Sequence, residues 1–383
     1  MDTSAADRLW RLMGRYDEAN EQRANACLVE RLATSASLMI FGAGQNGRLV
    51  LRLLREAGLE PAAFLDETRS KIGQIVDGTP VVGLEAAAAE VGTVVVCSIF
   101  SPGCDYLTIA ARLRSRRLET ISLFSFLRAF AAKDLPFYFL DSPAQVLGAQ
   151  AEIAWLADRL IDRSSLDLLC AQIEFRLYLR HERLPSWTSH RQPAPGTWSR
   201  FALIDAGAFD GDTLLPMLAN DAARVSMALA LEPDPINFAK LELNIAAAGP
   251  VVMQKTRALR AAVDATSGCR AFAGLGNQGS GFSQVGDRVA TVSIDDLVET
   301  HIPYEERLYI KFDVEGAEAS ALQGAARTLV EKAPFLAVSA YHRPHDLWTL
   351  PRLINGFDDR YRYRLVSHGA DGADLMLYAF PPE

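Results

Sequence analysis

The sequence predicts an α/β protein built from two doubly wound, Rossmann-like domains joined by a helical segment. Three observations carry that expectation. Short apolar strands alternate with helical periodicity along most of the chain, the pattern of a parallel sheet covered by helices. Two glycine-rich turns, FGAGQNGR at 41–48 and DAGAFDGDT at 205–213, each follow an apolar run and open a helix. At 383 residues the chain has room for two or three domains.

The elements follow in order. Leu9, Leu12, Met13 and Tyr16, then Leu28, Val29 and Leu32, recur at helical spacing, so residues 1–36 form a helical lead-in. Residues 37–136 read as the first α/β domain. Its strands are LMIFG, AAFLD, VVVCS and TISLF, with helices over 46–57, 84–91 and 104–116, ending near Pro136. Residues 137–198 make a helical hairpin and linker. Leu147, Ile153, Leu156, Leu160 and Ile161 share one face, and Ser164-Ser165-Leu166-Asp167 restarts a helix as a capping box. Three prolines in PSWTSHRQPAPG mark the linker. Residues 199–383 hold the second domain. Its strands are FALIDAG, MALALEP, a stretch near 257–263, LYIKFD and FLAVSAY, with helices over 235–247, 317–332 and 346–356. YRYRLVSH and DLMLYAF close the chain, spaced as an antiparallel pair.

Composition narrows the function. Residues are 49% hydrophobic and 22% charged, as in globular domains, and the net charge of −8 argues against nucleic acid as a partner. Five scattered cysteines (27, 97, 104, 170 and 269), without a C-x-x-C pair, fit a reducing compartment better than a disulfide framework or a zinc site. Neither a signal peptide nor an apolar run of membrane-spanning length is visible, so a cytoplasmic protein without membrane insertion is expected. A homo-oligomer stays open.

The second turn poses a chemical question. Glycine turns at helix N-termini usually cradle phosphate, yet this one carries Asp205, Asp210 and Asp212. Gly207 and Gly211 let a ligand approach the backbone. Glu232 ends the next strand, where an acid accepts two ribose hydroxyls in dinucleotide sites. A ribose site rich in carboxylates and poor in bases suits a cationic nucleoside, and S-adenosylmethionine carries both a sulfonium and an ammonium. Asn237 either touches the ligand or caps its helix.

LIDAGAFDGDT, ALEPDPINFAKLELNI, ATVSIDDLV, YIKFDVEGAEASALQGA and LAVSAYHRPHDLW occur in that order. Together they resemble the FkbM family of S-adenosylmethionine-dependent methyltransferases over about 200–383, with DVEGAE the most diagnostic piece. The resemblance implies a class I methyltransferase sheet of seven strands with an antiparallel last strand. It also implies O-methylation of a hydroxyl on a sugar, glycan or secondary-metabolite acceptor. The cofactor set is then Asp205, Gly207, Ala208, Asp210, Gly211, Thr213, Glu232, Pro233, Asn237 and Asp313.

A hydroxyl acceptor must lose its proton, so a positioned base is expected. Asp313 and Glu315 follow the fourth strand, and His342 follows the next, with an ordinary pKa near neutrality. Lys311 could orient the acceptor or pair with Glu315. Two acids and a histidine could also hold a divalent metal, though no metal is expected.

FGAGQNGR carries G-x-G-x-x-G in Gly42, Gly44 and Gly47, and Asp66 ends the following strand at the distance of a ribose acid. The stretch through DGTPVVG, over about 38–100, also resembles the N-terminal nucleotide-sugar-binding domain of bacterial sugar acyltransferases. That implies a nucleotide, nucleotide-sugar or NAD(P) ligand. Two alternatives to methyl transfer stand beside it: a dehydrogenase or epimerase working from this domain, and a nucleotide-binding module without turnover.

Overall fold

The computed structural model describes residues 5–86, 92–100, 104–130, 140–185, 198–274, 281–283 and 286–381. Two helices lead in, α1 (Ala5–Met13) and α2 (Glu18–Ala33), the second capped by Asp17, which accepts the Asn20 N–H. They separate at once. Leu9 and Met13 join the core that carries the C-terminal sheet, whereas Leu32 packs into the core of the first sheet.

The first sheet is made by β1 (Ser37–Phe41), α3 (Gln45–Glu56), β2 (Ala63–Asp66), β3 (Ile75–Val76), β4 (Thr79–Gly83), β5 (Thr93–Cys97), α4 (Tyr106–Arg114), β6 (Glu119–Ser122) and α5 (Leu123–Phe130). Its order is β3-β4-β2-β1-β5-β6, parallel apart from the β3–β4 hairpin. The order reverses between β1 and β5, which places the crevice over the first glycine turn. Asp77 and Gly78, with φ of 47° and 82°, make the two-residue hairpin loop, a D-G signal the sequence reading passed over. The helix expected over 84–91 begins as a 3-10 turn, Leu84–Ala86; residues 87–91 lie outside the described residues, as does Pro136.

The joining segment contains α6 (Pro143–Gly148), α7 (Gln150–Ala157) and α8 (Arg163–Tyr178). Asp162, not Ser164, caps α8: its carboxylate accepts the Ser165 N–H at 2.8 Å and the Ser164 hydroxyl at 2.7 Å. An ionised acceptor at the cap outcompetes the hydroxyl. Ser165 Oγ instead accepts the Leu365 N–H at 3.0 Å, fastening this segment to the outermost strand of the second sheet. The linker over 186–197 lies outside the described residues.

The second domain runs through β7 (Phe201–Ala206), α9 (Leu214–Asp221), β8 (Val225–Leu231), α10 (Pro235–Ala247), α11 (Pro250–Lys255) and β9 (Thr256–Leu259). It continues through β10 (Ala262–Val263), β11 (Gly268–Ala273), β12 (Gly281–Phe282), β13 (Asp287–Val292), α12 (Ile294–His301) and β14 (Leu308–Phe312). It ends with α13 (Glu318–Gln323), α14 (Ala326–Lys332), β15 (Phe335–Ser339), α15 (Asp346–Phe357), β16 (Arg362–Ser367) and β17 (Leu375–Phe380). The seven-stranded order is β16-β17-β15-β14-β7-β8-β9, with β17 antiparallel to both neighbours, as expected.

Two features depart from the sequence reading. The helix expected over 317–332 is split at Gly324 into α13 and α14, and only glycine fits there, since a Cβ would stand 2.2 Å from the Asp264 carbonyl oxygen. Beyond β9, the strands β10, β13, β11 and β12 form an additional four-stranded sheet that the sequence reading did not name. The two domains meet where Phe124, Leu140, Phe175 and Leu179 pack with Phe100 and Tyr341, and the Tyr106 N–H donates to Asp371 at 2.9 Å.

Candidate active site

Every residue of β7 and β14 is buried, yet each strand carries one charge. Lys311 on β14 stands in register with Asp205 on β7, so both side chains leave the sheet on the same face. Lys311 Nζ lies 3.1 Å from Asp205 Oδ1, 3.4 Å from Asp313 Oδ2 and donates to the Gly207 carbonyl at 3.2 Å. Burial pushes the Asp205 carboxyl up to about 6, against the pull of Lys311. The lysine is 2% exposed and pairs with Asp205 and Asp313, not with Glu315. The expected pairing with Glu315 is thus replaced by one with Asp205 and Asp313, which places a buried positive charge beneath the site.

Gly207 is fixed by close approach. Its φ is 81°, and a Cβ would fall 1.9 Å from the Asp313 carbonyl oxygen. The Asp313 N–H in turn donates to the Ala206 carbonyl, so the two loop ends are clamped together. The Gly207 and Ala208 N–H groups both donate to the Leu231 carbonyl and are closed to a ligand.

Glu232 leaves β8 and turns back over this loop. Its Oε2 accepts the Phe209 N–H at 2.9 Å and its Oε1 the Asp234 N–H at 2.8 Å. Burial raises its pKa to about 7, with these two N–H groups opposing the shift. Four lone-pair sites on a carboxylate leave two for further donors. A cleft opens beside it, lined by Gly207, Glu232, Pro233, Asp313 and Glu315. Its far wall comes from the small sheet, with Phe272 and Phe282, which sequence reading missed. The alternation in CRAF was the available signal, obscured by glycines on both sides.

Across the cleft the DVEGAE turn meets the strand end at His342. Glu315 takes a left-handed φ of 51°, and Asp313 and Glu315 both reach toward His342 Nε2, at 3.5 and 3.6 Å. His342 Nδ1 lies 2.8 Å from Glu318 Oε1, which also accepts the Val314 N–H. Glu318 stands in the quoted motif, three residues beyond Glu315 at the first turn of α13, and was not singled out. Burial lowers the histidine's proton affinity, but Glu318, Glu315 and Asp313 outweigh it and carry its pKa to about 10. The near-neutral titration expected for His342 is therefore absent. Asp313, despite burial, is held below the usual carboxylate range by Lys311 and His342, whereas loss of hydration raises Glu315 to about 7.

The remaining candidates divide. Gly211 is buried with φ of 94° and packs under Leu215 and Leu241, and Ala208 is buried in the core. Asn237 is buried at the start of α10, its N–H donated to the capping Asp234 at 3.2 Å. Asp210 and Thr213 stand at the loop rim and do not join the cleft lining above. In the first domain, Gly42 has φ of 107°, and a Gly47 Cβ would lie 1.9 Å from the Gly42 carbonyl oxygen. Gly44 precedes α3 with open space beside it. Asp66 accepts the Ala43 N–H at 2.8 Å and pairs with Lys71 at 3.2 Å.

This doubly wound sheet, with its antiparallel last strand, strand-end acid and acidic cleft, is matched among known proteins by S-adenosylmethionine-dependent methyltransferases. Residues 205–365 match the family model described as Methyltransferase FkbM domain. The crystal structure of methyltransferase FkbM from Methylobacillus flagellatus KT has a TM-score of 0.69 at 23% identity, covering 98% of this chain and 97% of that one. The likeness is one of fold, and it includes the N-terminal domain. A precorrin-6y C5,15-methyltransferase from Geobacter metallireducens GS-15 reaches a TM-score of 0.32 at 9% identity, covering 49% of this chain and 84% of its own. No curated protein matches at a significant level.

Proposed function

We propose that this enzyme transfers the methyl group of S-adenosylmethionine to a hydroxyl oxygen of a sugar, glycan or secondary-metabolite acceptor. The observation that carries the reading is Glu232. It is a buried carboxylate that accepts two backbone N–H groups and borders a cleft whose opposite end is acidic. Ribose hydroxyls are its natural donors, and the sulfonium then falls toward Asp313 and Glu315. The acceptor enters against the Asp313–Glu315–His342 cluster. There, in-line alignment supplies much of the rate and the cluster receives the hydroxyl proton. As the C–O bond forms, the S–C bond breaks, and S-adenosylhomocysteine leaves.

The N-terminal domain serves this reaction without turnover of its own. Asp66 already holds Lys71, and the carboxyl ends of β5 and β6 deliver Phe100 and Phe124 to the packing that includes Tyr341, the neighbour of His342. A nucleotide or nucleotide sugar over Gly44 remains the ligand to try there, as a handle on the acceptor. Incubation with methyl-labelled S-adenosylmethionine and a panel of nucleotide sugars, glycans and hydroxylated metabolites tests the reading. The expected product is a methoxyl group; label on nitrogen or carbon, or none on any acceptor, overturns it. NAD(P)H turnover by the same protein would favour the dehydrogenase alternative instead.

A further inference from the structure

The surroundings of His342 hold more than a base requires. Its side chain is 8% exposed and that of Glu318 1%. Nδ1 is committed to Glu318 at 2.8 Å, which fixes the ring and aims Nε2 at the two other carboxylates. Nε2 is buried and makes no hydrogen bond, and neither does Glu318 Oε2. The gaps from Nε2 to Asp313 Oδ1 and Glu315 Oε2, 3.5 and 3.6 Å, are long for hydrogen bonds. They suit donors sharing one ion with bonds of roughly 2.0–2.3 Å. An outer carboxylate holding the far nitrogen of a histidine is the arrangement that presents imidazole to a metal.

We propose that Asp313, Glu315 and His342 Nε2 are the protein donors for one divalent cation of the Mn2+ or Mg2+ class, with Glu318 orienting the histidine. Two carboxylate oxygens and one imidazole favour such ions over thiolate-seeking ones. Ligand atoms of Asp313, Glu318 and His342 lie within 4.8 Å of one another, and Glu315 Oε2 joins them at 3.6 Å from His342 Nε2. Glu315 and Asp313 also border the cleft, so the ion would face the acceptor and favour ionisation of a bound hydroxyl. That use rests on the proposed methyl transfer; the binding of the ion does not.

Titration of the full chain with Mn2+, followed by calorimetry and by the loss of free-ion paramagnetic resonance signal, tests the site without an acceptor. The expected result is one Mn2+ per chain. His342→Ala and Glu315→Gln should each weaken it by more than tenfold, and Glu318→Gln by about tenfold, the usual scale for an outer ligand. Circular dichroism identifies any variant that fails to fold. Glu315→Gln, at a partly exposed position, keeps the test open if His342→Ala does so. No uptake by the native protein, or uptake unchanged in Glu315→Gln, overturns the site. S-adenosylmethionine binding measured alongside separates the two readings. Mn2+ uptake without cofactor binding supports the site and removes the proposed function, whereas cofactor binding without Mn2+ uptake removes the site alone.

Discussion

The two glycine turns share one hydrogen bond and differ in what stands opposite it. In each, the acid ending the second strand accepts a backbone N–H from the loop after the first strand: Asp66 from Ala43 at 2.8 Å and Glu232 from Phe209 at 2.9 Å, both 23 positions apart. Asp66 also accepts the Thr68 N–H and meets Lys71, and these partners outweigh its burial and lower its pKa to about 2. Glu232 meets backbone N–H groups and the charges of Asp234 and Asp205, and burial raises it to about 7. The same backbone device therefore yields one acid satisfied within the protein and one suited to a ligand. A glycine fingerprint reports the first condition of a nucleotide site, the close turn, and says nothing of the second.

The comparison breaks most sharply at the glycines. Gly47→Ala and Gly207→Ala each force a Cβ within 1.9 Å of a backbone oxygen. Overpacking costs about 1–3 kcal/mol, and the positive φ of Gly207 adds about 1–3 kcal/mol of backbone strain. Gly207→Ala should thus be the more damaging in denaturant melts, and equal, small losses would mean that the loops relax freely.

Cofactor binding is the next discriminator. Glu232→Ala should weaken S-adenosylmethionine binding by about 2–3 kcal/mol, the worth of charge-assisted hydrogen bonds to the ribose. Asp66→Ala should leave that affinity unchanged in the same calorimetric titration. A comparable loss in both would place the cofactor between the domains.

Stability against pH separates the acids by sign. The folded pKa of Asp66 is depressed, so its contribution is present above the unfolded value of 3.8 and is lost as pH falls toward about 2. Asp66→Asn should cost about 2 kcal/mol at neutral pH, at 1.36 kcal/mol per pKa unit. The cost should shrink on acidification, as read from melts of both proteins. Glu232 behaves oppositely. Its pKa is raised, so its favourable protonated state is complete below 4.5 and is lost as pH rises through about 7. Glu232→Gln should gain stability relative to the native protein between pH 5 and 8. The native enzyme should bind S-adenosylmethionine better at pH 8 than at pH 6, with that slope reduced in Glu232→Gln; identical slopes would exclude Glu232 as the titrating partner.

The smallest effect belongs to Lys71→Ala. The lysine is 38% exposed, so its pair with Asp66 should contribute below about 1 kcal/mol and weaken in salt. A larger loss would make the ion pair, not the Ala43 N–H, the main hold on Asp66.

The sequence by itself determined the α/β class, the two glycine turns, the strands that bear them and the order of the acidic motifs. Each depends on periodicity, turn chemistry or close backbone approach, which are local. α10 spans Pro235–Ala247, the range expected from the sequence, and β17 runs antiparallel as the closing motifs implied. Tertiary structure decided the partners. Lys311 neutralises Asp205 because β14 lies beside β7 in one register. His342 meets Glu318 at 2.8 Å where the end of β15 comes beside the start of α13, and the Asp264 carbonyl leaves room only for glycine at 324. Asp66 and Glu232 look alike as strand-end acids; Lys71, five residues on, turns back to Asp66, whereas the fold opens a cleft beside Glu232. Charge and hydration act through space, so the chemistry of a carboxylate is set by neighbours that the order of residues does not name.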